Sequence, residues 1–444
     1  MTKRKMKDSG VAWIGQVPEG WGVRAFRFEF SFSKGLNITK ADLVDEGVPV
    51  VSYGQIHAKY NSARHLSDKL LRFVSEAVAE RDLDARLNKG DFVFADTSED
   101  VEGAGNFVLN DRDDVVYAGY HDLIARPNDS RNSAYLAYLF QTDAWRSQLR
   151  SMVQGIKVFS ITQRLFKKIS LILPPLSEQR KIAAFLDGEC GKIDLLRGKV
   201  EKQIAALEEY RKSVITEAVT KGIRRGRKMK LSGVEWIGEV PDGWKILNLL
   251  YVLRRRISDG PHETPVCIDE GIPFISVDSL NDTEDIDFSV VKKFISQKDF
   301  ELFSRRSRIE VGDILFSKAA TIGKTAIVKN LGFMVWSPLA IIKPDCEKSD
   351  TKYLYYGLNC EGLVNAARLA GSMNTQANVG MRELEKVKVP LPSLSEQREI
   401  AAYLDKKCAA IDSMVAKCRE ELDRLAEYKK SLIYEYVTGK KEVA

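Results

Sequence analysis

The 444-residue chain has few of the side chains that build metal centres or covalent staples. Its six cysteines (Cys190, Cys267, Cys346, Cys360, Cys408, Cys418) form no C-x-x-C pair, and it has only four histidines. A structural zinc site or a disulfide framework is therefore excluded, and a reducing cytoplasm is the expected compartment. No apolar run approaches the roughly 20 residues needed to cross a bilayer, and Met1 to Lys7 is too polar for a signal peptide, so no membrane partner is expected. Neither sign of charge dominates: 68 Lys and Arg face 62 Asp and Glu, leaving +6. That balance is compatible with nucleic acid without demanding it. Hydrophobic residues make up 44%, enough to bury cores in two or three domains.

Catalytic signatures are absent too. Lys318 to Thr325 (KAATIGKT) ends like a phosphate-binding loop, but Lys318 stands where that loop needs glycine. Asp345 and Asp350 lie too close in sequence to sit on separate strands of a nuclease metal site. Gly103-Ala104-Gly105 is only part of a nucleotide loop, and no N-P-P-F or D-P-P-Y tetrapeptide of amino-methyltransferases occurs. His57, His65, His121 and His262 do not cluster with a nucleophile. No catalytic residue, metal ligand or cofactor is assigned to this chain.

The chain does repeat itself. Arg4 to Trp21 (RKMKDSGVAWIGQVPEGW) and Arg227 to Trp244 (RKMKLSGVEWIGEVPDGW) agree at 14 of 18 positions. LSEQRKIAAFLD (Leu176 to Asp187) and LSEQREIAAYLD (Leu394 to Asp405) agree at 10 of 12. The offsets, 223 and 218, make the unit half the chain, which excludes a short solenoid period. Between these anchors GVPVVSYGQI (Gly47 to Ile56) answers GIPFISVDSL (Gly271 to Leu280), and KGDFVFAD (Lys89 to Asp96) answers VGDILFSK (Val311 to Lys318). Gly-bounded runs of β-branched and aromatic residues read as strands leaving turns. The tryptophans of the W-I-G-x-V-P-x-G-W element read as core anchors rather than base-stacking platforms.

Each half ends in a long proline-free stretch. Leu186, Ile193, Val200, Leu207 and Val214 recur seven apart, as do Leu404, Ile411, Cys418, Leu425 and Leu432. A second row is expected at Ile182, Leu196 and Tyr210, and at Ile400, Met414 and Tyr428. These rows predict a coiled-coil seam on helices about 65 Å long. The seam can close within one chain or between two. Closure within the chain gives two domains and an antiparallel helix pair with pseudo-twofold symmetry. The linker Gly222 to Lys230, with five cations in nine residues, reads as solvated and able to reach phosphate. Matching polar stretches in the two helices (Glu178-Gln179-Arg180 and Glu396-Gln397-Arg398, Asp187 and Asp405, Arg211-Lys212 and Lys429-Lys430) read as docking positions for two copies of one partner.

With two diverged domains, two near-identical helices and the repeated W-I-G-x-V-P-x-G-W opening, the whole chain resembles the specificity subunit of Type I restriction-modification systems. The resemblance implies an α/β (α+β) fold. A first target-recognition domain with its N-terminal arm would span 1–173 and the first repeated helical region 174–222. The linker and second recognition domain would span 223–391, and the second helical region with the tail 392–444. It also implies double-stranded DNA, two methyltransferase subunits and restriction/translocase subunits as partners. S-adenosylmethionine, ATP and Mg would be bound by those partners. The alternative is a standalone nuclease or methyltransferase with a coiled-coil dimerisation region.

Polar, Gly-punctuated segments are the candidate DNA contacts, because amide side chains pair with adenine and lysine pairs with guanine or phosphate. In the first half these are Tyr53, Gln55, His57 and Lys59, then Gly155 and Lys157. In the second they are Lys318, Thr321 and Lys324, then Ser372, Asn374 and Gln376. Two unlike readers imply an asymmetric target of two short blocks, about one helical turn apart.

Overall fold

The computed structural model describes residues 4–153, 158–263, 265–281, 283–319, 321–370 and 378–443. The chain divides into two compact units, residues 1–200 with 421–444, and residues 201–420. Both are mixed α/β. The first unit has a four-stranded antiparallel sheet in the order Phe107–Leu109, Phe92–Ala95, Asp122–Pro127, Phe30–Lys34. The second unit repeats it, in the corresponding order, as Thr325–Ile327, Ile314–Ser317, Leu339–Ile342, Ser258–Asp259. The inner strands FVFA and ILFS are buried at every position. Covered on both faces, they read as continuous apolar runs rather than alternating ones. A smaller sheet flanks each, holding one parallel pair: Tyr117–Ala118 beside Val48–Val51, and Met334–Val335 beside Ile272–Ile275.

The glycine-Asp turn before each inner strand carries a buried ion pair. Asp91 meets Arg126 at 3.2 Å; its counterpart Asp313, fully buried, meets Lys343 at 2.5 Å and Arg254 at 2.8 Å. Removing the Asp313 charge would leave Lys343 and Arg254 with Glu310 alone, at 3.4 and 2.5 Å, and underpaired. Asp313→Asn is therefore expected to lower unfolding free energy by about 2–3 kcal/mol, read by denaturant titration of the full chain.

The long helices are Leu176–Lys221 and Leu394–Val437. They pair antiparallel. In the first unit Asp194 meets Lys429 at 2.6 Å, and in the second Arg211 meets Asp412 at 3.0 Å. Leu186, Ile193, Val200 and Val214 are buried, as are Leu404, Ile411, Cys418 and Leu432, while Leu207 and Leu425 are half-buried. This first row lies where the heptads predict. The second row does not. It runs four residues on from the first, through Cys190, Arg197, Ile204, Arg211 and Ala218, and through Cys408, Val415, Leu422, Lys429 and Tyr436, all buried or half-buried. Leu196, Tyr210, Met414 and Tyr428, the expected row, are exposed. Ile182 and Ile400 are buried, but within the cores of their own units. Long Arg and Lys stems cover apolar surface while their charged ends reach an acid at the rim, so the true row carries a polar signature.

The matched polar residues have internal work. Glu178 accepts from Trp21 Nε1 at 2.9 Å and pairs with Arg4 at 2.6 Å; Glu396 accepts from Trp244 Nε1 at 3.1 Å and pairs with Arg227. Gln179 and Gln397 donate to the carbonyls of Pro174 and Pro392. Tyr138 and Tyr356 donate to Asp187 and Asp405 at 2.7 and 2.8 Å. These contacts seat the sheets and loops of each unit on its long helix, which accounts for their duplication without a partner. Trp21 and Trp244 are core anchors, as expected, whereas Trp13 and Trp236 are only half-buried against the same cores. Three of the linker's five cations are engaged, Arg224 with Glu399, Arg227 with Glu396 and Lys230 with Asp242, while Arg225 and Lys228 are exposed. Among the described residues, no helix is long and apolar enough to cross a membrane.

Candidate nucleic-acid interface

In the first unit, loops from separate strands meet at one end of the central sheet. The strand Phe30–Lys34 turns at Gly35, where a β-carbon would lie 2.1 Å from the Gly119 carbonyl oxygen, so only glycine fits the crossing. Leu36 N donates to Ala118 O at 2.9 Å, Tyr53 N to Tyr120 O at 3.3 Å and Asp96 N to His121 O at 2.9 Å. The segment Phe159–Ser160 pairs with Thr97–Ser98, closing the edge.

These loops enclose an open cleft of about 750 Å³, lined among others by Tyr53, His57, Asn106, Tyr120 and His121. Tyr53 packs edge-on against Tyr120 at 5.8 Å and His121 at 5.5 Å, leaving both tyrosines more than a third exposed. His121 sits at φ +58° and bonds Asp96 Oδ1 through Nδ1 at 2.9 Å. Asn106 Oδ1 accepts from Arg146, so its Nδ2 donates to His57 Nδ1 at 2.8 Å; His57 Nε2 then donates to Thr97 O at 2.8 Å. Both ring nitrogens are occupied, and the neutral tautomer is fixed. His57 shapes the cleft, and Tyr53 and Tyr120 offer the free hydroxyls and ring faces. Beneath them Asp122 is fully buried, and burial pushes its carboxyl well above the usual carboxylate range.

The second unit has the same edge with the charges exchanged. By sheet register, Lys34 corresponds to Asp259, each opposite the residue (Leu123 or Ala340) that also faces Phe94 or Phe316. Asp96 and Lys318 follow two residues after those phenylalanines. Lys318 and Asp259 are both buried and pair at 2.7 Å, with His262 Nε2 3.2 Å from the same carboxylate oxygen. A cleft of about 450 Å³ opens beside them, lined by Asp259, His262, Phe303 and Arg306 among others.

The family model described as Type I restriction modification DNA specificity domain matches residues 27–206 and 265–423. The chain belongs to this family. It is thus a DNA-specificity subunit of a Type I restriction-modification system, the non-catalytic member of that enzyme, and the standalone-enzyme alternative falls. A Methanocaldococcus jannaschii protein named putative type I restriction enzyme MjaX specificity subunit is 25% identical over 432 residues, covering 96% of this chain and 95% of its own. The Escherichia coli EcoKI specificity subunit is 22% identical, covering 96% and 90%. A solved chain from a study of complex assembly and conformational transition of the type I R-M system matches the fold at TM-score 0.66 and 20% identity, over 96% of this chain and 99% of its own.

Within this specificity subunit, the segment Ser52 to Lys59 lies at the edge as one short helix, Tyr53–Ile56, and its continuation. Tyr53 and His57 line the cleft; Gln55 is half-buried and Lys59 exposed. Thr321 is exposed and Lys324 half-buried, on a turn that Ser317 closes by bonding Thr321 O and Lys324 N. Lys318 is a correction: its ammonium is spent on Asp259 inside the domain, because the opposing strand brings that acid to it. Gly155, Lys157, Ser372, Asn374 and Gln376 lie outside the described residues. The cleft also takes in Tyr120, His121 and Asn106, which the sequence reading did not single out as DNA contacts; His121 entered it only as one of four histidines without a neighbouring nucleophile.

Proposed function

We propose that this specificity subunit reads an asymmetric duplex target of two blocks, about one helical turn apart, through the loop edges of its two domains. We propose also that it carries two methyltransferase subunits, which bring the restriction/translocase subunits into the complex. S-adenosylmethionine, ATP and Mg would be bound by those partners. The divergence of the two edges, with lysine and acid exchanged between equivalent positions, supports unlike blocks.

One observation carries the stoichiometry. In the first unit Leu196 (48% exposed) and Tyr428 (56%) stand at the same level of the helix pair, one step from the Asp194–Lys429 contact. In the second, Met414 (43%) and Tyr210 (52%) stand likewise beside Asp412–Arg211. Large apolar side chains kept exposed at duplicated positions suit two copies of one helical partner. Leu196→Glu with Tyr428→Glu is expected to leave one methyltransferase subunit per chain instead of two, with an unchanged melting temperature. Native mass spectrometry that still finds two after both substitutions would overturn this docking face.

A further inference from the structure

The two recognition domains differ in charge along one segment beside the reading edge. Residues 292–308 of the second domain hold six cations against two acids, Asp299 and Glu301. The corresponding segment of the first domain, 71–86, holds three cations against four acids. Register fixes the correspondence: Phe73 opposite Pro49 matches Phe294 opposite Pro273. Lys292, Lys293, Lys298, Arg305 and Arg306 are all exposed, and none has an ion-pair partner among the described residues. Arg81, in contrast, is held by Asp42 at 3.4 Å.

The basic segment is continuous with the second reading edge. Phe303 and Arg306 line the cleft that Asp259 and His262 also line. Lys293 Nζ stands 4.0 Å from the centroid of the Trp336 ring, immediately before Ser337, whose hydroxyl is 3.5 Å from the Asp259 carboxylate. At this edge Lys318 is neutralised internally, so its own loop supplies less free positive charge than the sequence suggests.

We propose that Lys292, Lys293, Lys298, Arg305 and Arg306 grip the phosphate backbone of duplex DNA beside the second target block. The second domain thereby adds a salt-dependent grip beside its block that segment 71–86 of the first domain, with more acids than cations, does not supply. Exposed, unpaired cations release counterions when they meet phosphate, and each contact steepens the dependence of log affinity on log salt by about 0.9. Such contacts orient the protein without selecting bases. The inference rests on the loop edges facing DNA.

The test uses the full chain in complex with its methyltransferase subunits, on a labelled duplex whose target comes from methylation sequencing. The variant combines Lys292→Gln, Lys298→Gln, Arg305→Gln and Arg306→Gln, and leaves Lys293 on its tryptophan. Its salt slope is expected to fall by about 2–4, with the methylated sequence and the melting temperature unchanged. Hydroxyl-radical footprints should lose backbone protection beside one block only. Arg72→Gln with Arg81→Gln in the first domain should change the slope by less than about 1. An unchanged slope in the fourfold variant, or an equal loss in the first-domain variant, would overturn the proposal. So would loss of subunit assembly at unchanged slope, which would assign the patch to an acidic protein surface. A native complex with no affinity for its own target would instead remove the reading of the loop edges.

Discussion

Ile193→Asp is expected to abolish assembly with the methyltransferase subunits and to lower stability by about 3–5 kcal/mol. Ile193 is 4% exposed, in the core that also holds Leu186, Cys190, Leu432 and Ile433. A carboxylate there enters an apolar core, and the seam's nearby cations are already engaged, Lys429 by Asp194 and Arg197 by a contact of its own. Burial without a partner is the costly case. Ile411, equally buried in the second unit, should behave alike. Isothermal denaturant melts and size-exclusion of the co-expressed complex read the two effects. A normal melt with a normal complex would show that the helices do not depend on this seam.

Replacing residues 17–173 with those of a relative is expected to change one block of the methylated target completely and leave the other untouched. Each domain owns its edge: Tyr53, Tyr120 and His121 belong to the first, Asp259, His262 and Thr321 to the second. The seating contacts survive such an exchange only if the incoming domain keeps its counterparts of Trp21 and Tyr138, which bond Glu178 and Asp187. Methylation sequencing decides it. Alteration of both blocks, or a native target that is a continuous palindrome, would sink the two-reader arrangement.

The first heptad row was legible because Leu, Ile and Val recur seven apart and need no partner to be recognised. The second row was not, since Arg197, Arg211 and Lys429 occupy inward positions that a hydropathy pattern assigns to solvent. Arg211 and Lys429 become acceptable there through Asp412 and Asp194, which come from the other helix. The matched Glu, Gln and Asp of the two helices were visible as a repeat, yet their roles depended on Trp21, Tyr138 and the equivalent residues far along the chain.

The candidate edge divides the same way. Tyr53 and His57 sit in one Gly-punctuated segment and could be picked out locally. Tyr120 and His121 join them because Tyr117–Ala118 pairs in parallel with Val48–Val51, a contact that no local pattern announces. By itself the sequence determined the duplication, the two long helices, the buried strands and the family, because identity between halves and side-chain periodicity are properties of short stretches. Only the tertiary structure decided which cations are free. Lys318 is buried on Asp259 and Arg224 and Arg227 are tied to a helix, while Lys292, Lys298, Arg305 and Arg306 face solvent with no ion-pair partner among the described residues. A charge is available to DNA only if no opposite charge lies within a few ångströms, and strand and helix pairing over long sequence distances sets those neighbours.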